Sequence, residues 1–237
     1  MMREALLEVR DLRVQFPTPD GVVKAVDGLS FSVHRGETFG IAGPNGAGKT
    51  TLFDAISGHA RASGGRVVFD GEEIQQHSSH VICHLGVART FQVPAVFPEH
   101  TVLGNILVRA YFGRRPRLVP STRFDGDSVE QAVRAATWVG LDEKLGATAG
   151  PLSLFDKKRL MMASALASDP RLLMLDEPSL GLAPNLVDEI FDIIQRINRE
   201  TKTGVLLVEQ NANVALDIVD HAYLIENGRV VMSGTAD

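Results

Sequence analysis

Gly43-Pro44-Asn45-Gly46-Ala47-Gly48-Lys49-Thr50 is a complete G-x-x-x-x-G-K-[ST] phosphate loop. A short apolar run, Phe39 to Ala42, leads into it, and helical spacing follows at Thr51, Leu52, Ala55 and Ile56. Strand, loop and helix in that order are the context in which the motif has a mechanism. The glycines let backbone N–H groups turn toward a polyphosphate, and the helix points its positive dipole end at the same anion. Lys49 is spaced to reach the β- and γ-phosphates, and the Thr50 hydroxyl to ligate Mg²⁺. The stretch predicts a nucleoside triphosphate site built from Gly43 through Thr50, with Thr51 beside it. The competing reading is a glycine-rich turn with no ligand.

The chain before the loop reads as short strands, Ala5–Phe16, Val22–Val26, Leu29–Val33 and Thr38–Ala42, with a turn cluster at Pro17-Thr18-Pro19-Asp20-Gly21. After the loop, the helix is expected to run to about His59. Arg66–Asp70 alternates as a strand into an Asp70-Gly71 hairpin signal. Residues 93–152 change character, with a polar middle and an amphipathic helix expected over Ser128–Val139, and read as an inserted helical lobe. Beyond them come a helix near Lys157–Ala167, a buried strand Arg171–Leu175, and a helix with Pro184 in its first turn. That last helix has one apolar face at Leu186, Val187, Ile190, Phe191, Ile194 and Ile197. Val205–Val208 is a further buried strand, and Tyr223–Glu226, Asn227-Gly228 and Arg229–Met232 form a hairpin. Strands alternating with helices around a phosphate loop predict a parallel sheet covered on both faces. Residues 1–92 and 153–237 would form the nucleotide-binding core.

A net charge of −5 gives no global basic field to hold nucleic acid. One cysteine leaves no internal disulfide framework and suits a reducing cytoplasm. The residues after Met1 lack a signal-peptide apolar run, and no stretch approaches the roughly 18 apolar residues of a membrane span. Membrane association is therefore expected only through a partner.

Leu172-Leu173-Met174-Leu175-Asp176-Glu177 is an apolar strand ending in two carboxylates. Open α/β sheets bind ligands at the carboxyl ends of their strands, which places this acid pair beside the phosphate loop. Asp176 is then the candidate Mg²⁺ holder, directly or through water, and Glu177 the candidate to orient the attacking water. Two solvated acids capping a strand would be the bland alternative.

With these residues in view the chain resembles the ATPase subunits of ABC transporters over nearly its whole length. Leu175-Asp176-Glu177-Pro178-Ser179-Leu180-Gly181-Leu182-Ala183-Pro184 is similar to that family's Walker B and D-loop, in the form common to branched-chain amino acid importers. The resemblance implies a phosphate-loop NTPase (RecA-like) α/β core with an N-terminal antiparallel β subdomain and an inserted helical subdomain. Ala88-Arg89-Thr90-Phe91-Gln92 resembles the Q-loop segment, which implies that Gln92 contacts Mg²⁺ or water and faces a membrane partner. Phe16 stands where the family places an adenine-stacking aromatic; a plain core phenylalanine is the alternative. Val208-Glu209-Gln210-Asn211-Ala212-Asn213 resembles the segment carrying the switch histidine, whose place Gln210 takes.

Two departures from the family stand out. Its Leu-Ser-Gly-Gly-Gln signature aligns with Leu152-Ser153-Leu154-Phe155-Asp156, a segment that in the family meets the γ-phosphate held by the other subunit of a head-to-tail dimer. Phe155 is expected to add bulk there and Asp156 a like charge, at a cost of about one to several kcal/mol. The alternative is a shifted backbone in which Ser153 alone still serves. Gln210 donates a hydrogen bond but carries neither proton nor charge, so hydrolysis would show no imidazole step. Together these imply an asymmetric pair of ATPase subunits. The partner would carry a normal signature, and its own nucleotide would turn over slowly against this one.

The resemblance implies MgATP hydrolysis at the cytoplasmic face of a membrane. There it would power import of a branched-chain amino acid or a related small polar solute. Separate permeases and, indirectly, a solute-binding protein would complete the assembly. Two rivals remain: a non-transport ABC-type ATPase, which usually shows tandem cassettes or long heptad insertions, and a regulatory subunit with little hydrolysis. His77, His80, Cys83 and His84 have helical spacing that could suit zinc, against a partly exposed helix. Arg114-Arg115-Pro116-Arg117 and Lys157-Lys158-Arg159 read as solvated basic runs. Trp138 reads as packing.

Overall fold

The apolar run ahead of the phosphate loop becomes the centre of a sheet. A computed structural model describes residues 4–19, 21–113 and 124–235. The basic run Arg114–Arg117 and Asp20 of the turn cluster lie outside them. Strand β3 (Thr38–Ala42) is buried at all five residues and runs parallel to β8 (Gly204–Glu209) and β9 (His221–Glu226). β7 (Leu172–Asp176) pairs with β8 and with β6 (Val87–Arg89), and β10 (Arg229–Thr235) closes the other edge antiparallel. Six strands result, in the order β10-β9-β3-β8-β7-β6.

A second sheet is antiparallel, in the order β2-β1-β4-β5, from β1 (Ala5–Thr18), β2 (Gly21–His34), β4 (Gly64–Phe69) and β5 (Glu72–Glu73). β2 is one strand where the sequence suggested two. Register shifts in β1 on either side of Leu12 absorb the Asp27-Gly28 break, and Gly28 takes the left-handed region at φ 81°. The Asp70-Gly71 and Asn227-Gly228 signals form hairpin turns, with φ positive at all four residues. Strand β6, three residues long, is too short to show periodicity.

Period-two alternation sorts the parallel strands into two cores. Leu173 and Leu175 of β7 and Val205 and Leu207 of β8 face α3 (Val102–Phe112), α4 (Gly126–Trp138), α5 (Leu154–Leu166) and α6 (Pro184–Thr201). Leu172 and Met174 of β7 and Leu206 and Val208 of β8 face α1 (Lys49–Ile56) and the antiparallel sheet. By the same alternation Asp176 and Arg89 point to the α1 side. Helix α5 starts three residues earlier than expected because the Ser153 hydroxyl accepts the Asp156 N–H at 3.0 Å and caps it. Pro184 occupies the first turn of α6, and Trp138 packs partly buried against the helical core. Helix α2 (Ser79–Leu85) and α7 (Ala212–Leu216) complete the set. No helix among the described residues is long and apolar enough to cross a membrane.

Ile194 is fully buried where α6 meets the sheet. Ile194→Ala is expected to lower unfolding free energy by about 2–5 kcal/mol in urea titration. A change below about 1 kcal/mol would contradict this packing.

Candidate functional site

The phosphate loop is glycine-dependent for reasons the backbone makes explicit. Gly48 caps α1 at φ 98°, and a side chain there would meet the Ala25 carbonyl at 2.1 Å. At Gly43 an added Cβ would lie 2.3 Å from the Ile225 carbonyl. Pro44, Asn45 and Gly46 are exposed, Ala47 is buried, and Thr50 is exposed on the first turn of α1 with Thr51 half-buried behind it. The Lys49 side chain folds back under the loop, 4% exposed. Its ammonium donates to the Gly43 and Pro44 carbonyls at 2.8 and 3.1 Å and stands 3.3 Å from Glu177 Oε1.

The acid pair lies directly beside it. Glu177 is buried, and its other carboxylate oxygen accepts a hydrogen bond from Gln92 Nε2 at 2.7 Å. Its backbone sits at φ 48°, a left-handed conformation that costs a non-glycine residue about 1–3 kcal/mol. Two hydrogen bonds hold it there: its N–H donates to the Val208 carbonyl at 2.9 Å, and its carbonyl accepts from Lys158 Nζ at 3.0 Å. Asp176 Oδ2 accepts from Arg89 Nη2 at 2.9 Å, whereas the buried Oδ1 has no hydrogen-bond partner among the described residues. Burial pushes the Asp176 carboxyl up, and Arg89 offsets only part of that.

Three further residues complete the cluster, and sequence reasoning assigned them no role. Arg89 lies three residues before Gln92, and a lone arginine following Val87-Ala88 is the signal in the sequence that marks it. Lys158 corrects the reading of its run as a solvated face: it is buried against Glu177. Burial pushes the Lys158 ammonium below its ordinary value, and Glu209, Glu177 and Asp176 pull the other way. Glu209 is also buried and accepts the Ser179 N–H at 2.9 Å. Burial raises its carboxyl, with the Ser179 hydrogen bonds working against the shift.

The remaining candidates lie outside this hydrogen-bonded cluster. Gln210 is exposed just past β8. Phe16 is 44% exposed near the end of β1, paired with Val23, and belongs to neither core. Ser153 is exposed at the head of α5 with Leu154, itself 41% exposed. The expected bulk of Phe155 and charge of Asp156 are corrected. Both side chains are buried, Phe155 under the Arg159 guanidinium at 4.6 Å. Asp156 is paired to Lys144 at 2.6 Å and to Arg159. His80 bonds Ser78 at 3.0 Å and His84 the Phe112 carbonyl at 3.0 Å. No group of three or more metal-capable His, Cys, Asp or Glu side chains occurs among the described residues.

A family profile described as ABC transporter matches residues 26–180. The chain is 33% identical over 243 residues to the high-affinity branched-chain amino acid transport ATP-binding protein BraF of Pseudomonas aeruginosa, covering 100% of this chain and 94% of that protein. It is 38% identical over 215 residues to BraG of the same organism, described in the same words, covering 91% of this chain and 88% of that one. Among solved structures, the ADP conformation of MJ1267, an ATP-binding cassette of an ABC transporter, superposes with a TM-score of 0.86 at 31% identity. That match spans 98% of this chain and 91% of the other.

The buried pairing of Asp156 has a pH consequence. Burial alone would raise this carboxyl, but hydrogen bonds from Lys144 and Arg159 outweigh it and hold it below its ordinary value of 3.8. The stabilisation is therefore complete above pH 3.8 and fades as pH falls below that toward the native value. In urea titrations the gap between wild type and Asp156→Asn should narrow over that interval. A gap independent of pH would contradict the pairing.

Proposed function

The chain belongs to the ABC transporter family, and on that premise we propose that it binds MgATP and hydrolyses it to ADP and phosphate. The work done is import of a branched-chain amino acid or a related small polar solute through separate permease subunits. One observation carries the hydrolytic reading: the Glu177 carboxylate is held between Lys49 and Gln92 at the mouth of the phosphate loop. Lys49 and the loop amides grip the phosphates, and Phe16, exposed at the hairpin, offers a ring face for adenine. Glu177 orients a water whose oxygen bonds to the γ-phosphorus as the bond to the bridging oxygen breaks. The electron pair leaves with ADP, and the carboxylate accepts the water's proton.

The donor set fits Mg²⁺. Asp176 Oδ1, without a hydrogen-bond partner among the described residues, and the exposed Thr50 hydroxyl are hard oxygen donors, and Gln92 is bonded to the neighbouring Glu177. When bound, the ion would supply charge neutralisation for the β- and γ-phosphates. Gln210 would donate to a γ-phosphate oxygen.

The working unit is a head-to-tail pair of ATPase subunits at the cytoplasmic face of the membrane, served by a solute-binding protein on the far side. Permeases would dock near the Gln92 loop and the helical lobe of residues 93–152. Ser153 at the head of α5 would face the nucleotide held by the partner. Because Asp156 is neutralised inside the chain, the electrostatic ground for a slow partner site falls away. Leu154 in place of a glycine is the departure left exposed.

Glu177→Gln should retain ATP binding while single-turnover hydrolysis falls by about 10²-fold or more. Unchanged hydrolysis in that variant would overturn the assignment.

A further inference from the structure

We propose that Arg89 is the positioning residue for Asp176, and that it sets how strongly the nucleotide site takes up a divalent cation. The inference rests on the ATPase reading and concerns a residue that reading does not use. Arg89 ends β6 in register with Met174 of β7, two residues before Asp176, so alternation brings both side chains to the α1 face. It is only 8% exposed. Its Nη1 donates to Asp54 Oδ1 at 2.6 Å and to Ser57 Oγ at 3.0 Å, and its Nη2 donates to Asp176 Oδ2 at 2.9 Å. The rings of Phe53 and Phe91 lie 5.5 and 5.0 Å from the guanidinium carbon and fix its plane.

The geometry does more than neutralise a buried acid. Two contacts to α1 anchor one arm of the guanidinium, and the planar fork carries that anchorage to the other arm. The second arm takes one oxygen of Asp176 and leaves Oδ1 buried without a hydrogen-bond partner among the described residues. A carboxylate held by one oxygen cannot rotate freely, so its second oxygen is presented in a single direction. This is the arrangement by which an outer group orients a metal-binding carboxylate. A lysine would offer its three donors from a single nitrogen, without the fork that here divides Asp54 and Ser57 from Asp176. Asp54 belongs to the helix that begins at Lys49, and Ser57 is the residue that caps its C-terminal end. The carboxylate is therefore fixed relative to the phosphate loop itself.

The test is calorimetric titration of ATP into the full chain, once with EDTA and once with Mg²⁺, alongside urea unfolding of each variant. Arg89→Met should keep the Mg²⁺-free affinity within about twofold while the gain in affinity from Mg²⁺ falls by about tenfold. Asp176→Asn should cause a similar fall, and the double variant should lose no more than the larger single loss, since both act on one carboxylate. Arg89→Lys should recover only part of the gain. A full Mg²⁺ gain in folded Arg89→Met, or losses that add in the double variant, would overturn the proposal. Should Arg89→Met fail to unfold cooperatively, Asp54→Asn decides. Asparagine keeps an accepting oxygen but loses the charge, so weakening that anchor should reduce the Mg²⁺ gain by about threefold, less than the roughly 10–100-fold of a direct outer-group substitution, and an unchanged gain would overturn the proposal. Wild type that binds no ATP in either buffer would instead sink the ATPase reading.

Discussion

A lysine ammonium buried beneath six residues of loop is the constraint around which the site is organised. Lys49 gives up its water for two carbonyls and the Glu177 carboxylate. An unpaired ammonium in that place would carry a desolvation penalty of several kcal/mol, so loop, lysine and glutamate stand together. The loop can close over the lysine only because Gly43 and Gly48 let backbone pass where a methyl would strike the Ile225 and Ala25 carbonyls. Those carbonyls belong to β9 and β2, so both sheets define the shape of the loop.

The same logic extends across the carboxyl edge of the parallel sheet. Arg89, Lys49 and Lys158 are three buried cations, each bonded to a different part of the Asp176-Glu177 dipeptide. Arg89 comes from β6, Lys49 from α1 and Lys158 from α5, so the acid pair is tied to three elements that are distant in sequence. The left-handed Glu177 backbone is a local cost sustained by that network. Breaking any one tie leaves a charge or carbonyl buried without its partner, which is why the cluster behaves as a unit.

Much of this was legible in the residues. The phosphate loop, the strand ending in Asp176-Glu177, the Pro184 helix start and both Xaa-Gly hairpins rest on local rules, and local rules survive folding. What escaped depended on long-range burial. Lys158 sits in a basic run that reads as surface, and only the packing of α5 among α3, α4 and β6 turns it inward. Asp156 reads as a charge facing phosphate, but Lys144 reaches it from the 3-10 turn before α5, where it joins Arg159, one turn along the same helix. Arg89 was visible as a charge in an apolar stretch, but a three-residue strand gives no periodicity to say which way it points.

The claim on which the account stands is that the buried ammonium exists to meet polyphosphate. Titrating MgATP calorimetrically into wild type and Lys49→Ala tests it most directly. Wild type should bind, and the alanine variant should lose at least about tenfold in affinity, because a charged hydrogen bond contributes about 1.5–3 kcal/mol. Equal MgATP affinity in a folded Lys49→Ala chain would contradict the account.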